Sequence, residues 1–184
     1  MIPLLQTDRL LLRPFRNEDQ QALLLLISEK EVAATTLRIP HPCTLGDVQD
    51  WLSAHQQEYE KRETIRWAIC LRPAGTLVGG ISLFLNDAFQ SAELGYWIGK
   101  PYWGQGYASE AAKRVVDFGF DTIGLNRIEA HFMQENNASA KILEKLGMQY
   151  EGLHRQLVKR WGQFKDVKTY AMLQSDRRIN AVAG

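Results

Sequence analysis

The order of elements legible in the sequence predicts a mixed α+β fold, a sheet of mixed direction with helices on its faces. Three observations carry that prediction. Strand-like runs follow one another closely between residues 66 and 98, as an antiparallel meander requires. Past mid-chain, two helical repeats each stand beside a strand of residue types that favour sheets. The whole order is strand, two helices, three strands, helix, strand, helix and two strands, which is neither the repeated βαβ of a dinucleotide fold nor a barrel.

A first strand is expected at Arg9 to Arg13, and Asn17, with Glu18 and Asp19 in its first turn, opens a helix ending near Glu29. Thr44 and Asp47 make a box-like start for a second helix through Trp51, Leu52 and Tyr59 to about Arg62. The meander is Arg66 to Leu71, a turn at Pro73-Ala74-Gly75, Leu77 to Leu85 and Ser91 to Ile98, with a bulge expected at Gly79-Gly80. Ala108, Ala111, Ala112, Val115, Val116, Gly119 and Ile123 recur at helical spacing, and Gly124 stops that helix. Arg127 to Met133 reads as a strand. Asn136 or Asn137 then opens a helix that turns Ala138, Ile142, Leu143 and Leu146 inward and stops at Gly147. Two strands close the chain, about Gln149 to Val158 and Phe164 to Leu173, turning at Trp161-Gly162, with a polar tail from about Ser175.

The stretch PYWGQGYASEAA from Pro101 to Ala112 is the most informative for function. Gly104 and Gly106 let backbone amides approach a ligand with no Cβ between, and the first turn of the following helix aims its free N–H groups at an anion. A phosphate-bearing ligand follows; a mere tight turn is the plainer alternative. The nucleotide-hydrolase loop is excluded, because no lysine follows the second glycine. The dinucleotide fingerprint fits poorly: its third glycine is Ser109, and Asn126 stands where a ribose-binding acid belongs.

A chain of 184 residues suits one domain with one core, and a formal net charge of +1 argues against a dedicated nucleic-acid binder. The cluster Arg155, Lys159, Arg160, Lys165 and Lys168 reads as a solvated strand face. Cys43 and Cys70 have no CxxC or paired histidine nearby, so they read as reduced and structural, with no zinc site. The opening residues lack a signal-peptide pattern, and the longest apolar run, Leu23 to Ile27, is far too short to span a membrane. The expectation is a cytoplasmic protein.

Four segments, in this order, resemble the GCN5-related N-acetyltransferases (GNAT), and within them the RimJ/RimL branch that acetylates ribosomal-protein N-termini. They are TDRLLLRPF (Thr7 to Phe15), ELGYWIG (Glu93 to Gly99), PYWGQGYASEA, and NNASAKILEKLGM (Asn136 to Met148). The resemblance spans nearly the whole chain as a single domain, 1–184. It implies a mostly antiparallel central sheet, split between two central strands and flanked by about four helices. Acetyl-CoA is implied in the split between the strand ending at Ile98 and the strand Arg127 to Met133. Its pantetheine arm would pair with the backbone of Tyr96, Trp97 and Ile98. Its pyrophosphate would lie on Gly104, Gln105, Gly106, Tyr107, Ala108 and Ser109. Trp103 replaces the Arg or Gln that many relatives carry, a change the RimJ/RimL branch tolerates.

Direct attack of a neutral amine on a thioester needs an oxyanion donor, a base and an acid for the leaving thiolate. A backbone N–H near Trp97 or Ile98 would serve the oxyanion. The tyrosine that many relatives use as acid aligns with Leu143, so Ser139 is the substitute, with Asn136 holding the pantetheine or a water; the alternative is that both merely cap the helix. The glutamate of some relatives aligns with Val158, which leaves Glu93 and His131 as candidate bases. His41, His55 and His154 lack even a positional argument, and Trp51, Trp67 and Trp161 could line the acceptor side but read first as core or hairpin residues.

An α-amine titrates near 8 and a lysine near 10.4, so neutralising them at pH 7 costs about 1.4 and about 4.6 kcal/mol. A site without an evident base suits the cheaper acceptor, a protein N-terminus. The alternatives are a small-molecule amine (polyamine, amino acid or antibiotic) and a non-catalytic acyl-CoA-binding protein. The implied partners are acetyl-CoA and the acceptor, in a monomer or homodimer, with no metal, nucleic acid or membrane.

Overall fold

A computed structural model describes residues 1–177 of the chain, and the rest of the expected tail lies outside them. Eight strands form one open sheet: β1 (Leu5–Gln6), β2 (Leu10–Arg13), β3 (Thr64–Leu71), β4 (Leu77–Asn86), β5 (Ser91–Ile98), β6 (Arg127–Met133), β8 (Gln163–Leu173) and β7 (Gln149–Arg160), in that spatial order. Every neighbouring pair is antiparallel except β5 and β6, which run parallel.

Side-chain alternation gives the sheet two apolar faces. Ile65, Trp67 and Ile69 of β3 join Ile81 and Leu83 of β4 against Ala111, Ala112 and Val115 of helix α4 (Tyr107–Phe118), and helix α5 (Asn137–Lys145) adds Leu143. Ala68 and Cys70 of β3 face the other way, toward Leu23 and Ile27 of helix α1 (Gln20–Ile27) and Val48 of helix α3 (Leu45–Glu60). Trp67 is fully buried and satisfies its indole by donating to the Pro3 carbonyl at 2.8 Å.

The meander, β6 and both later helices stand where the sequence places them. Thr44 caps α3, its side chain accepting from the Asp47 amide while Asp47 accepts from the Thr44 amide. The final turn places Trp161 at φ 46° and Gly162 at φ 80°, the left-handed pair that a two-residue hairpin requires.

Two expectations need correction. The first helix does not begin at Asn17 or run to Glu29: a 3₁₀ turn, Asn17–Asp19, precedes α1, which ends at Ile27, and a separate helix α2 (Lys30–Ala34) follows. The reason is Asp19, which binds the Arg13 guanidinium through both oxygens at 2.7 Å and accepts from the Arg16 amide at 2.7 Å, tying the opening turn to β2. The bulge sits at Val78, since Ile69 pairs with Gly79 and Cys70 with Leu77. Gly79 and Gly80 are small for another reason: a Cβ would meet the Trp97 carbonyl oxygen at 2.4 Å and the Trp97 indole nitrogen at 2.6 Å. Of the expected polar tail, residues 175–177 lie in a helical turn, 174–177, held by Arg177, which pairs with Asp117 and Asp121.

Candidate functional site

The two parallel strands stay together for only three residue pairs, Ser91 with Arg127, Ala92 with Ile128 and Glu93 with Glu129, and then diverge. On its other side β5 remains fully paired, with Tyr96, Trp97 and Ile98 opposite Ile81, Gly80 and Gly79. The edge of Tyr96 to Ile98 that faces β6 is therefore open backbone in the middle of a sheet. Such an edge pairs readily with an extended ligand.

A cavity of about 460 Å³ runs through this split. From the α4 and α5 side it is lined by Tyr96, Ser139 and Leu143; from the α1 and α3 side, by Glu93, His131 and Trp51. Trp51 packs against the α1 and α3 core, its ring edge-on to Phe15 and His55, and also lines the cavity wall. Trp67 is core and Trp161 sits at the hairpin tip, as expected.

The glycine loop stands at the end of β5. Gly104 has φ 74° and Gly106, the residue at the cap of α4, has φ 81°, both in the region where a Cβ is strained. No side chain caps α4, and the first turn after the cap carries Tyr107, Ala108 and Ser109. Trp103 locks the loop's other end by donating its indole N–H to the Ile98 carbonyl at 2.6 Å. Sequence reasoning missed Arg9. It donates to the Gln105 carbonyl at 3.0 Å and to Glu110 at 2.6 Å, so the chain's first long strand pins the loop and brings a cation to it. Burial works against the Glu110 carboxylate, but hydrogen bonds from Thr7 and Arg9 outweigh it and hold its pKa below the ordinary value. The signal was TDRL; only the fold brings it to the loop.

The candidate bases lie on the acceptor face. Glu93 is held through both oxygens by Arg38, at 2.9 and 2.8 Å, and the Arg38 guanidinium stacks 4.2 Å over Phe84. His131 lies 2.9 Å from the Thr169 hydroxyl through Nδ1 and 3.3 Å from Glu129 through Nε2. Partial burial pushes the Glu129 carboxyl up, yet Arg127 and His131 win and keep it below its ordinary pKa. His154 stands 6.4 Å from His131, ring to ring. His41 packs against Trp161, and His55 is buried against Trp51 and Phe15.

On the opposite face the Asn136 side chain caps α5, accepting from the Ser139 amide at 3.1 Å, and donates to the Thr35 carbonyl at 3.1 Å. Ser139 is 9% exposed and its side chain lines the cavity. An open strand edge, left-handed glycines before an uncapped helix and a cavity between them fit a long thioester ending in phosphates. Among the described residues no cluster of histidine, cysteine or carboxylate groups suits a metal ion. No helix there is long and apolar enough to cross a membrane.

Comparison with known proteins agrees with that geometry. The family described as an acetyltransferase (GNAT) domain matches residues 9–149. The chain is 33% identical over 175 residues to the uncharacterized N-acetyltransferase YoaA of Bacillus subtilis, covering 95% of this chain and 98% of that one. It is 29% identical over 99 residues to the [ribosomal protein uS5]-alanine N-acetyltransferase of Escherichia coli, 54% of this chain and 51% of that one. A GNAT-family acetyltransferase from Bacillus anthracis superposes with a TM-score of 0.83 at 26% identity, over 94% of this chain and 99% of that one. A spermidine N-acetyltransferase from Vibrio cholerae, solved with CoA and spermine, shares the fold with a TM-score of 0.80 at 22% identity, over 92% of this chain and 98% of that one.

Proposed function

This chain belongs to the GNAT acetyltransferase family, and from that premise we propose that it transfers an acetyl group from acetyl-CoA to the α-amine of a peptide or protein N-terminus. The observation that carries the choice of acceptor is the wall of the cavity on the α1 and α3 side. It is largely apolar, with Leu23, Ile27, Ile39 and Phe84 among its residues. Its carboxylates are mostly engaged: Glu93 by Arg38, and Asp47 by Thr44. Arg66 adds positive charge, itself paired with Glu58. Among the described residues Asp50 alone of the lining carboxylates has no such partner. One free carboxylate suits one ammonium; a polyamine needs several.

In this reading the amides from Gln105 to Ser109, with Gly104 and Gly106 making room, hold the pyrophosphate, and the open edge of Tyr96 to Ile98 pairs with the pantetheine amides. A backbone N–H near Trp97 or Ile98 faces the oxygen that gains charge. His131, with its Nε2–H donating to Glu129, takes the amine proton through water at Nδ1 as the Thr169 hydroxyl turns aside. Glu93 is the alternative base, but accepting a proton there would break its pair with Arg38. Asn136 fixes the start of α5 so that Ser139 faces the split.

Neutralising an α-amine at pH 7 costs about 1.4 kcal/mol against about 4.6 for a lysine amine, so the α-amine is the cheaper acceptor for a site with a single imidazole to take its proton. The test is amine-dependent release of CoA thiol with a panel of N-terminal peptides, lysine peptides, spermidine and spermine. Peptides with a free N-terminus are expected to turn over fastest, and N-terminal blocking should abolish the signal. Faster turnover of spermidine would replace the proposed acceptor with a polyamine. Tight CoA binding with no turnover on any amine would make the protein a sensor.

A further inference from the structure

The cavity contains one ionisable hydroxyl that the reading above does not use. Tyr96 enters that reading through its backbone alone. Its ring packs on the α4 and α5 side of the sheet, and its side chain lines the cavity beside Ser139. The phenol oxygen is buried and makes no hydrogen bond. The Ser139 hydroxyl stands close enough to favour the phenolate slightly, yet outside hydrogen-bond geometry. A buried hydroxyl left without a partner is uncommon and marks either a defect or a waiting ligand atom. One turn beyond Ser139 on the same helix, Leu143 is 1% exposed and has no proton to offer. Tyr96 reaches the same space from the strand instead.

We propose that the Tyr96 hydroxyl is the hydrogen-bond donor for the leaving sulfur of the thioester, with the Ser139 hydroxyl beside it as a second donor. In the transfer the amine lone pair forms the new C–N bond, the C–S bond breaks with its electron pair left on sulfur, and the surplus amine proton leaves through the base or water. Tyr96 shares its O–H with the sulfur and keeps its proton. Burial pushes this phenol up to about 12, so it remains a donor at any working pH. A thiolate whose conjugate acid has a pKa of about 8.5 is too weak a base to strip it. The proton that finally neutralises the sulfur comes from solvent.

The inference rests on the acetyl-CoA reading of the site, and its test is binding, not turnover. CoA and desulfo-CoA, which differ only at the sulfur, are titrated by calorimetry into the wild type, Tyr96→Phe and Ser139→Ala at pH 7 and at pH 9, where more of the CoA thiol is ionised. In the wild type CoA should bind about tenfold tighter than desulfo-CoA at pH 9 and less so at pH 7. Tyr96→Phe, which keeps the ring and its packing, should remove most of that difference, the remainder being due to Ser139, with desulfo-CoA affinity unchanged. Equal affinities in the wild type would overturn the proposal without needing any variant to fold, and would leave the acetyl-CoA reading standing. A ratio lost in Ser139→Ala but kept in Tyr96→Phe would overturn it in favour of Ser139. Failure of either molecule to bind would overturn the acetyl-CoA reading and the proposal with it.

Discussion

The two sides of the split are held together in different ways. The donor side consists of backbone: an unpaired strand edge at Tyr96 to Ile98, left-handed glycines at 104 and 106, and a helix terminus without a cap. The acceptor side is held by side-chain cations, each gripping a carboxylate or backbone carbonyls. Arg38 grips Glu93, Arg160 at the hairpin tip donates to the Ala33 and Ile39 carbonyls at 2.9 and 2.8 Å, and Arg13 grips Asp19 under α1. Backbone recognition suits a cosubstrate of fixed chemistry. Side-chain recognition can be changed one residue at a time, which suits the half of the site that selects its amine.

The contrast breaks most visibly at Asp19. Partial burial opposes its charge, but the hydrogen bonds from Arg13 and Arg16 prevail and lower its pKa below the ordinary 3.8. That stability is complete above the unfolded value and is lost as pH falls below about 3.8. Asp19→Asn leaves the buried Arg13 charge uncompensated and should cost about 3 kcal/mol in urea unfolding at pH 7. The loss should appear first as amide exchange in α1 and α3, with α4 protected to higher denaturant. Simultaneous opening of both sides would mean that they form one cooperative unit.

A gentler lever on the same side is pH. His55 of α3 is 7% exposed, and burial first, then nearby Arg66, pushes its pKa down to about 3 from 6.5. The fold accepts only the neutral imidazole, so its contribution is whole above pH 6.5 and declines as pH falls. By pH 5 about 2 kcal/mol should be gone. His55→Phe, which keeps the stacking on Trp51 and Phe15, should flatten the stability curve between pH 7 and 5. An unchanged curve would mean that the histidine charges in place.

The donor side should respond to Gly106→Val. A β-branched residue at φ 81° is strained and crowds the Arg9 guanidinium, which lies 3.4 Å from where a Cβ would sit. CoA affinity should fall by about tenfold or more by calorimetry. Gly106 itself is exposed, so Tm should move by only a few degrees.

The same contrast governs what could be read in the sequence. Ser91 to Ile98 and Arg127 to Met133 were legible to the residue, because alternation and flanking turns are local signals, and Gly104 and Gly106 marked the loop before α4 in the same way. Arg9, Arg38 and Arg160 were not. Each is an ordinary surface cation in sequence, and its meaning comes from a partner 101, 55 or 127 residues away. Tyr96 was legible as a strand residue, but its orphaned hydroxyl became visible only once α5 stood beside it. Gly79 and Gly80 misled for a related reason: glycine signals a need for space, and only the fold shows that Trp97 takes it.

The smallest expected effect separates the two roles still open for Glu93. The Arg38 side chain is 56% exposed, so the Arg38 and Glu93 pair belongs with weak, solvent-screened bridges. If the pair only shapes the acceptor wall, Arg38→Ala and Glu93→Gln should each raise the acceptor KM by about two- to fivefold and leave kcat and CoA affinity alone. If Glu93 is the base, Glu93→Gln should cut kcat by about a hundredfold or more, while Arg38→Ala spares kcat. In the first case His131→Gln should instead lower kcat. The two carboxylate-to-amide and imidazole-to-amide changes thus act on opposite kinetic parameters, and steady-state rates on one N-terminal peptide tell which group takes the proton.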